Sequence, residues 1–382
     1  MTQAFHPSAT PAQRSSAAQT SSFRDKWRNW RNGLIGSPGF QRWATRFPLT
    51  QPVARRRAQA LFDLSAGFVY SQIAYACVTS GLLDRLAQGP QSVSDLALTV
   101  DLDTSGTERL VKAAVALKLA ESAGGERYAL GAEGAALLGA PGVAAMIEHH
   151  RLLYADLADP IALLRRGGGG GALSGYWPYA EGGESGTTGP YSGLMSASQA
   201  MVAAQVLAAY PIGRHQHLMD VGGGDGTFLR AVAEQAPRLG LSLFDLPPVA
   251  ERARNRFAEE GLAVTATGGS FFTDVLPTGA DIISLVRILH DHDDDKAMTL
   301  LRAIRAALQP GCTLLIAEPM AQVSGCERVG DAYFGLYLLA MGSGRPRSIA
   351  EIRNMLAEAG FDSSREVATP LPMIASLIIA RA

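Results

Sequence analysis

His217-Leu218-Met219-Asp220-Val221-Gly222-Gly223-Gly224-Asp225-Gly226 decides the fold. A short apolar run enters a glycine cluster, and Thr227, Phe228, Leu229 and Val232 then set a helical spacing. Strand, glycine turn and helix form the first unit of a doubly wound sheet, in which a ligand meets the open end of the strand. Outward from this unit, apolar runs recur at 241–244, 263–267, 282–286, 312–317 and 376–379. Helical patterns at 247–257, 293–308 and 348–359 lie between them. The alternation predicts an α/β fold with a mainly parallel sheet, its last strand the antiparallel member.

The glycines at 222, 224 and 226 are spaced G-x-G-x-G. A dinucleotide turn uses G-x-G-x-x-G, because a helix N-terminus must approach a pyrophosphate. S-adenosylmethionine has no phosphate, so its turn needs only close backbone approach. Asp245, at the end of the second strand, has two oxygens that can accept a pair of ribose hydroxyls.

The chain has 382 residues, of which 47% are hydrophobic and 18% charged, enough to bury a core. Its net charge of −1 excludes a generally basic nucleic-acid-binding protein. The balance is uneven. Residues 1–60 hold ten Lys/Arg against one acid, or +9, and the remaining 24 basic and 34 acidic residues leave −10. Cys77, Cys312 and Cys326 are odd in number and lack metal-type spacing, which argues against a disulfide framework or a zinc site and for a reducing compartment. No signal-like apolar stretch follows Met1, and the longest apolar run, 67–83, is interrupted by Ser71, Gln72, Thr79 and Ser80. The expectation is a cytoplasmic protein, at most peripheral to a membrane.

Three regions are expected: a basic aromatic arm (1–55), a helical winged-helix module (56–205) and the Rossmann-like sheet domain (206–382). Residues 1–22 have a disordered composition. Phe23, Trp27, Trp30 and Leu34 then share one helical face, with Arg24, Lys26, Arg28 and Arg31 beside it. Either this arm (23–47) packs on its own protein or a dimer mate, or it lies on an anionic membrane. Leu61, Leu64, Phe68, Ile73 and Val78 predict one long amphipathic helix. Helices at 92–100 and 104–119, with Ser94 and Thr104 as N-caps, precede a strand-like wing at 126–130. A winged helix suggests DNA binding, but the second helix offers only Arg109, Lys112 and Lys118, beside Glu108. A dimerisation or substrate-lid module is the better reading. The five-glycine run 167–171 reads as a flexible connection or lid. Tyr176, Trp177, Tyr179 and Tyr191 near it either fold over an apolar ligand or pack on the helical module.

With Phe244-Asp245-Leu246-Pro247, Gly268-Gly269-Ser270-Phe271-Phe272 and Leu289-His290-Asp291-His292, the sequence from about residue 60 resembles the S-adenosylmethionine-dependent O-methyltransferases of plant phenolic and bacterial natural-product metabolism. The arm and the stretch from Phe47-Pro48 to Leu61-Phe62-Asp63-Leu64 are similar to the purple-bacterial carotenoid-methylating branch of that family. The resemblance implies S-adenosylmethionine as cofactor, a homodimer, and a lipophilic acceptor methylated on the tertiary 1-hydroxyl of an acyclic carotenoid; peripheral contact with the inner, photosynthetic membrane is a separate reading that rests on the arm at 23–47.

It also implies roles. Gly222, with Gly223 and Gly224, matches the cofactor turn, and Asp245 with Leu246 the ribose site. Ser270 and Phe271 stand where an Asp-Met or Asp-Phe pair meets the adenine, so Ser270 is a departure. Arg287 replaces a lysine near the methionine end. His290 matches the catalytic base and Glu318 one acid that holds it. A second acid is expected near Pro346, where the sequence has none.

A histidine is substantially neutral at pH 7 and suits proton removal from the acceptor. Without the resemblance, His290 reads rather as a solvated strand-end residue in a polar run than as a catalytic group, and His292 is a rival base. Asp293-Asp294-Asp295 reads as helix capping rather than a metal site. The apolar stretch 331–341, with Tyr333, Phe334, Tyr337 and Met341, is either buried core or the wall of a lipophilic pocket. The competing functions are methylation of a phenolic polyketide or a tetrapyrrole, and a SAM-sensing winged-helix regulator.

Overall fold

A computed structural model describes residues 22–176 and 188–382, without the side chains of 176, 188–195 and 197. The expectations for residues 1–21 and for the side chains of Tyr176, Trp177, Tyr179 and Tyr191 lie outside the described residues. The chain divides into two compact units, Met1–Ser71 and Gln72–Ala382.

In the first unit, Ser22 caps helix Phe23–Gly36 with a capping box completed by Asp25. Phe23, Trp27, Trp30 and Leu34 are all exposed, the first three by 82%, 51% and 64%. The guanidinium of Arg31 lies over the Trp27 ring. A second helix, Pro38–Arg46, starts at a proline, whose fixed φ and missing N–H suit a first turn. It leads to a stack of Trp43 on Phe47. Helix Gln51–Thr79 follows. By length and composition alone it is apolar enough to cross a membrane, although Ser71, Gln72 and Thr79 interrupt its apolar run. Its Leu61, Leu64 and Phe68 are exposed.

The helical part of the second unit has a core of Leu82, Leu83, Leu86, Leu96, Val111 and Ala114. Its small sheet pairs β1 (Gln91–Ser92) and β2 (Ala120–Gly124) with β3 (Arg127–Leu130), which is the expected wing. The caps differ from expectation. Ser92 and Asp103, not Ser94 and Thr104, accept the first-turn N–H groups of helices Val93–Ala97 and Thr104–Ala116. Each true cap is the last extended residue, and that backbone state is what a cap requires.

The glycine run is not a loose connection. Residues 167–170 all have positive φ, Gly169 N–H donates to Leu339 O at 2.9 Å, and a Cβ on Gly168 (φ +99) would collide with that same carbonyl. The glycines are needed for close approach to helix Gly335–Met341.

The large sheet contains β4 (His217–Val221), β5 (Gly240–Asp245), β6 (Val264–Gly268), β7 (Ile282–Val286), β8 (Thr313–Glu318), β9 (Ser363–Val367) and β10 (Ser376–Arg381), in the order β6-β5-β4-β7-β8-β10-β9. β10 runs antiparallel to both neighbours, as expected, and the other pairings are parallel. β9 had no clear signature, because its sequence Ser-Ser-Arg-Glu-Val is half-exposed at the sheet edge. The central strands are buried on both faces. Leu218, Leu243, Ile282 and Leu315 pack on one side, and Met219, Phe244, Ile283 and Ile316 on the other. Strand order reverses between β4 and β7, so the crevice at their carboxyl ends is where such a sheet binds ligand.

Candidate active site

The crevice is a cavity of about 940 Å³. Its lining includes Gly222, Gly223, Gly224, Asp245, Leu246, Ser270, Phe271 and Arg287, together with His290, Phe334, Tyr337 and Met341. Residues read from widely separated motifs thus share one wall.

The turn after β4 is open where a ligand must approach. Gly224 sits at φ +60 with nothing within 4 Å of its Cβ direction. Asp245 shapes the turn: one oxygen accepts Gly224 N–H at 2.8 Å and the other Leu246 N–H at 2.7 Å. Burial pushes its carboxyl above the ordinary value, opposed by those two N–H groups. Each oxygen keeps acceptor capacity. An open glycine backbone beside a half-buried acceptor pair fits the nucleoside of S-adenosylmethionine. Ser270 N–H is bonded to Asp274, and the Ser270 hydroxyl accepts from Phe272 N–H, so local turn contacts engage this residue. Arg287 adopts φ +60, costly for a non-glycine, and donates to Ser198 Oγ at 2.6 Å.

β7 delivers His290 on a single 3₁₀ turn, Leu289–Asp291. The residue is 2% exposed. Its ring stacks on Phe334 at 5.8 Å, and Nε2 lies 3.2 Å from Asp291 Oδ1. Burial disfavours the imidazolium, but the Asp291 carboxylate and the charge of Glu318 outweigh burial and Arg287. His290 is therefore held above the usual histidine value. Glu318, wholly buried at the end of β8, accepts His290 backbone N–H at 3.1 Å. It fixes the turn rather than hydrogen-bonding the ring. Burial raises its carboxyl, partly offset by His290. Among the described residues, His290 Nδ1 and Glu318 Oε1 have no hydrogen-bond partner.

Asp291, the carboxylate beside the ring, was missed. Its only sequence signal is adjacency to His290 in a polar run. His292 meets Phe271 and Phe272 edge to face, and burial holds it below the usual value. Of the acids that follow, Asp293 accepts Gly344 N–H, and Asp294 pairs with Arg345 and Arg347. Asp293 is the N-cap residue of helix Asp294–Ala307, and Asp294 and Asp295 lie in its first turn, where the sequence reading puts them; only the side-chain cap bond is absent, because Asp293 and Asp294 bind residues 344–347 instead.

Tyr333 is also corrected, since it is not among the cavity-lining side chains. A π-helical turn, Arg328–Phe334, places Phe334 against His290 and leaves Tyr333 bonded to His150 at 2.8 Å. Tyr337 is bonded to His149 at 3.0 Å. Burial lowers both histidines, His149 to about 4, so neither carries charge into this wall near neutral pH.

Residues 154–362 match the family model of an O-methyltransferase domain, and residues 62–139 that of an O-methyltransferase dimerisation domain. The wing and its helices lie in the latter, which supports a homodimer and displaces the DNA-binding reading. The chain is 42% identical over 353 residues to demethylspheroidene O-methyltransferase of Cereibacter sphaeroides, covering 91% of this chain and 93% of that protein. It is 42% identical over 337 residues to the Rhodobacter capsulatus protein of the same name, covering 87% and 84%. Human N-acetylserotonin methyltransferase, solved in complex with SAM, superposes with a TM-score of 0.69 at 27% identity, over 85% of this chain and 97% of that one.

Proposed function

The chain belongs to the S-adenosylmethionine-dependent O-methyltransferase family, and within it we propose that this enzyme methylates the tertiary 1-hydroxyl of an acyclic carotenoid, with His290 as general base. One observation carries the base: a buried imidazole on the cavity wall, stacked on Phe334 and backed by Asp291. The acceptor rests on the 42% identity to the two demethylspheroidene enzymes and on the neutral aromatic wall.

S-adenosylmethionine, when bound, supplies a methyl group on a sulfonium, an electrophile needing no further activation. Residues 222–224 and Asp245 would hold its nucleoside, Ser270 and Phe271 its adenine, and Arg287 its methionine end. Two tasks remain for the chain: aligning the acceptor oxygen and removing its proton. His290 receives that proton, and Asp291 stabilises the imidazolium that results. A tertiary alcohol is too weak an acid to ionise beforehand, so proton transfer accompanies displacement. The aromatic wall of Phe334, Tyr337 and Met341 takes the lipophilic end group. The exposed aromatic face with its arginines at 23–47 suits contact with an anionic membrane surface, the phase in which a lipophilic acceptor dissolves.

The test is product mass after incubating the enzyme with labelled S-adenosylmethionine and, separately, a 1-hydroxylated acyclic carotenoid, a phenolic polyketide and a tetrapyrrole. Labelled carotenoid supports the reading; label on either other acceptor alone rejects it.

A further inference from the structure

The turn bearing His290 holds itself weakly: its own backbone bonds, Asp291 N–H to Ile288 O and His292 N–H to Leu289 O, are 3.2 and 3.4 Å long. It is gripped instead from outside, by residues 343–347. Arg347, with 0% of its surface exposed, donates from Nη1 to Leu289 O at 2.8 Å and from Nη2 to His292 O at 2.7 Å. These are the carbonyls on either side of the catalytic pair. Ser343 Oγ donates to Asp291 O at 2.8 Å, and Gly344 (φ +79) lies so close to the His290 carbonyl that any Cβ would collide. The charge of Arg347 is met by Asp294, which accepts from both Nε and Nη2. A buried guanidinium persists only when its donors and charge are satisfied in this way.

We propose that Arg347 is a positioning residue for His290, its guanidinium bridging the two carbonyls that bracket the base and thereby holding the imidazole against Asp291 and Phe334. It stands beside Pro346, where family resemblance leads one to expect an acid. The base is thus steadied by a cation on its backbone, with Asp291 as its ring partner. The assignment rests on His290 being the base, and it concerns how that ring is placed rather than what it does.

Arg347→Lys keeps the charge but cannot bridge two carbonyls as a planar fork does. The expected result is a kcat lower by roughly 10- to 100-fold, with the equilibrium affinity for S-adenosylmethionine unchanged. NMR titration of the His290 ring in the ligand-free enzyme should show its pKa falling toward the ordinary value as contact with Asp291 is lost. Asp294→Asn, at a half-exposed side chain, should move kcat and the titration the same way by less, and it decides the matter if Arg347→Lys does not fold. A melting temperature that drops while kcat and the titration stay at wild-type values, in whichever variant folds, overturns the proposal. The base assignment fails separately, if His290→Ala turns over normally.

Discussion

At the scale of single residues the site is governed by the company His290 keeps. A general base works in its neutral form, so kcat/KM is expected to rise with pH through the His290 pKa, which its carboxylate neighbours hold above the usual value of about 6.5. Asp291→Asn removes the strongest of the charges that favour the imidazolium. The acid limb of the pH–rate profile should then move to lower pH, with a lower plateau, as expected of a weaker base. An unmoved limb, measured across the same pH range, would show that Asp291 does not set the basicity of the ring. Sequence made His290 legible through its neighbours in the chain, but its contacts were not. Glu318 serves the backbone of the turn, Asp291 serves the ring, and Phe334 arrives from a π-helical turn whose extra residue no helical period announces.

At the scale of elements, the glycine turn and the strand end that we propose hold the cofactor are joined through Asp245, which accepts from both Gly224 and Leu246. Gly224→Ala places a side chain at φ +60, a cost of about 1 kcal/mol, in space the nucleoside would occupy. Affinity for S-adenosylmethionine measured by calorimetry should fall by at least about fivefold, while the backbone strain lowers the melting temperature by only about 2–4 °C; equal affinity would put the nucleoside elsewhere. The central strands were legible as continuous apolar runs because they are buried on both faces, and β10 as an antiparallel closer. β9 was not, since an edge strand carries no such run. The caps of helices Val93–Ala97 and Thr104–Ala116 were misplaced by one or two residues, because several adjacent side chains can cap and only backbone geometry selects one. The glycine run 167–171 was misread for a related reason: composition does not distinguish a loose linker from a turn fitted against Leu339.

Within the second unit one cavity joins the glycine turn, proposed to hold the cofactor, to Phe334, Tyr337 and Met341, and the first unit exposes Phe23, Trp27 and Trp30 among arginines. Deletion of residues 1–48 is expected to reduce co-sedimentation with anionic vesicles, and raised salt to weaken binding of the intact chain, since headgroup attraction is screened. Methylation of a detergent-dispersed acceptor should survive the deletion. Undiminished vesicle binding would assign the arm to packing on a partner subunit instead. The charge asymmetry and aromatic spacing that suggest this arm were readable from the sequence, but they did not separate a membrane from a dimer mate. The most direct test of the account is a single-turnover measurement of methyl transfer by wild type and His290→Ala, with S-adenosylmethionine affinity determined in parallel. A loss of at least about 100-fold in rate with unchanged affinity is predicted. Wild-type rates in the variant would contradict the assignment of His290 as the base.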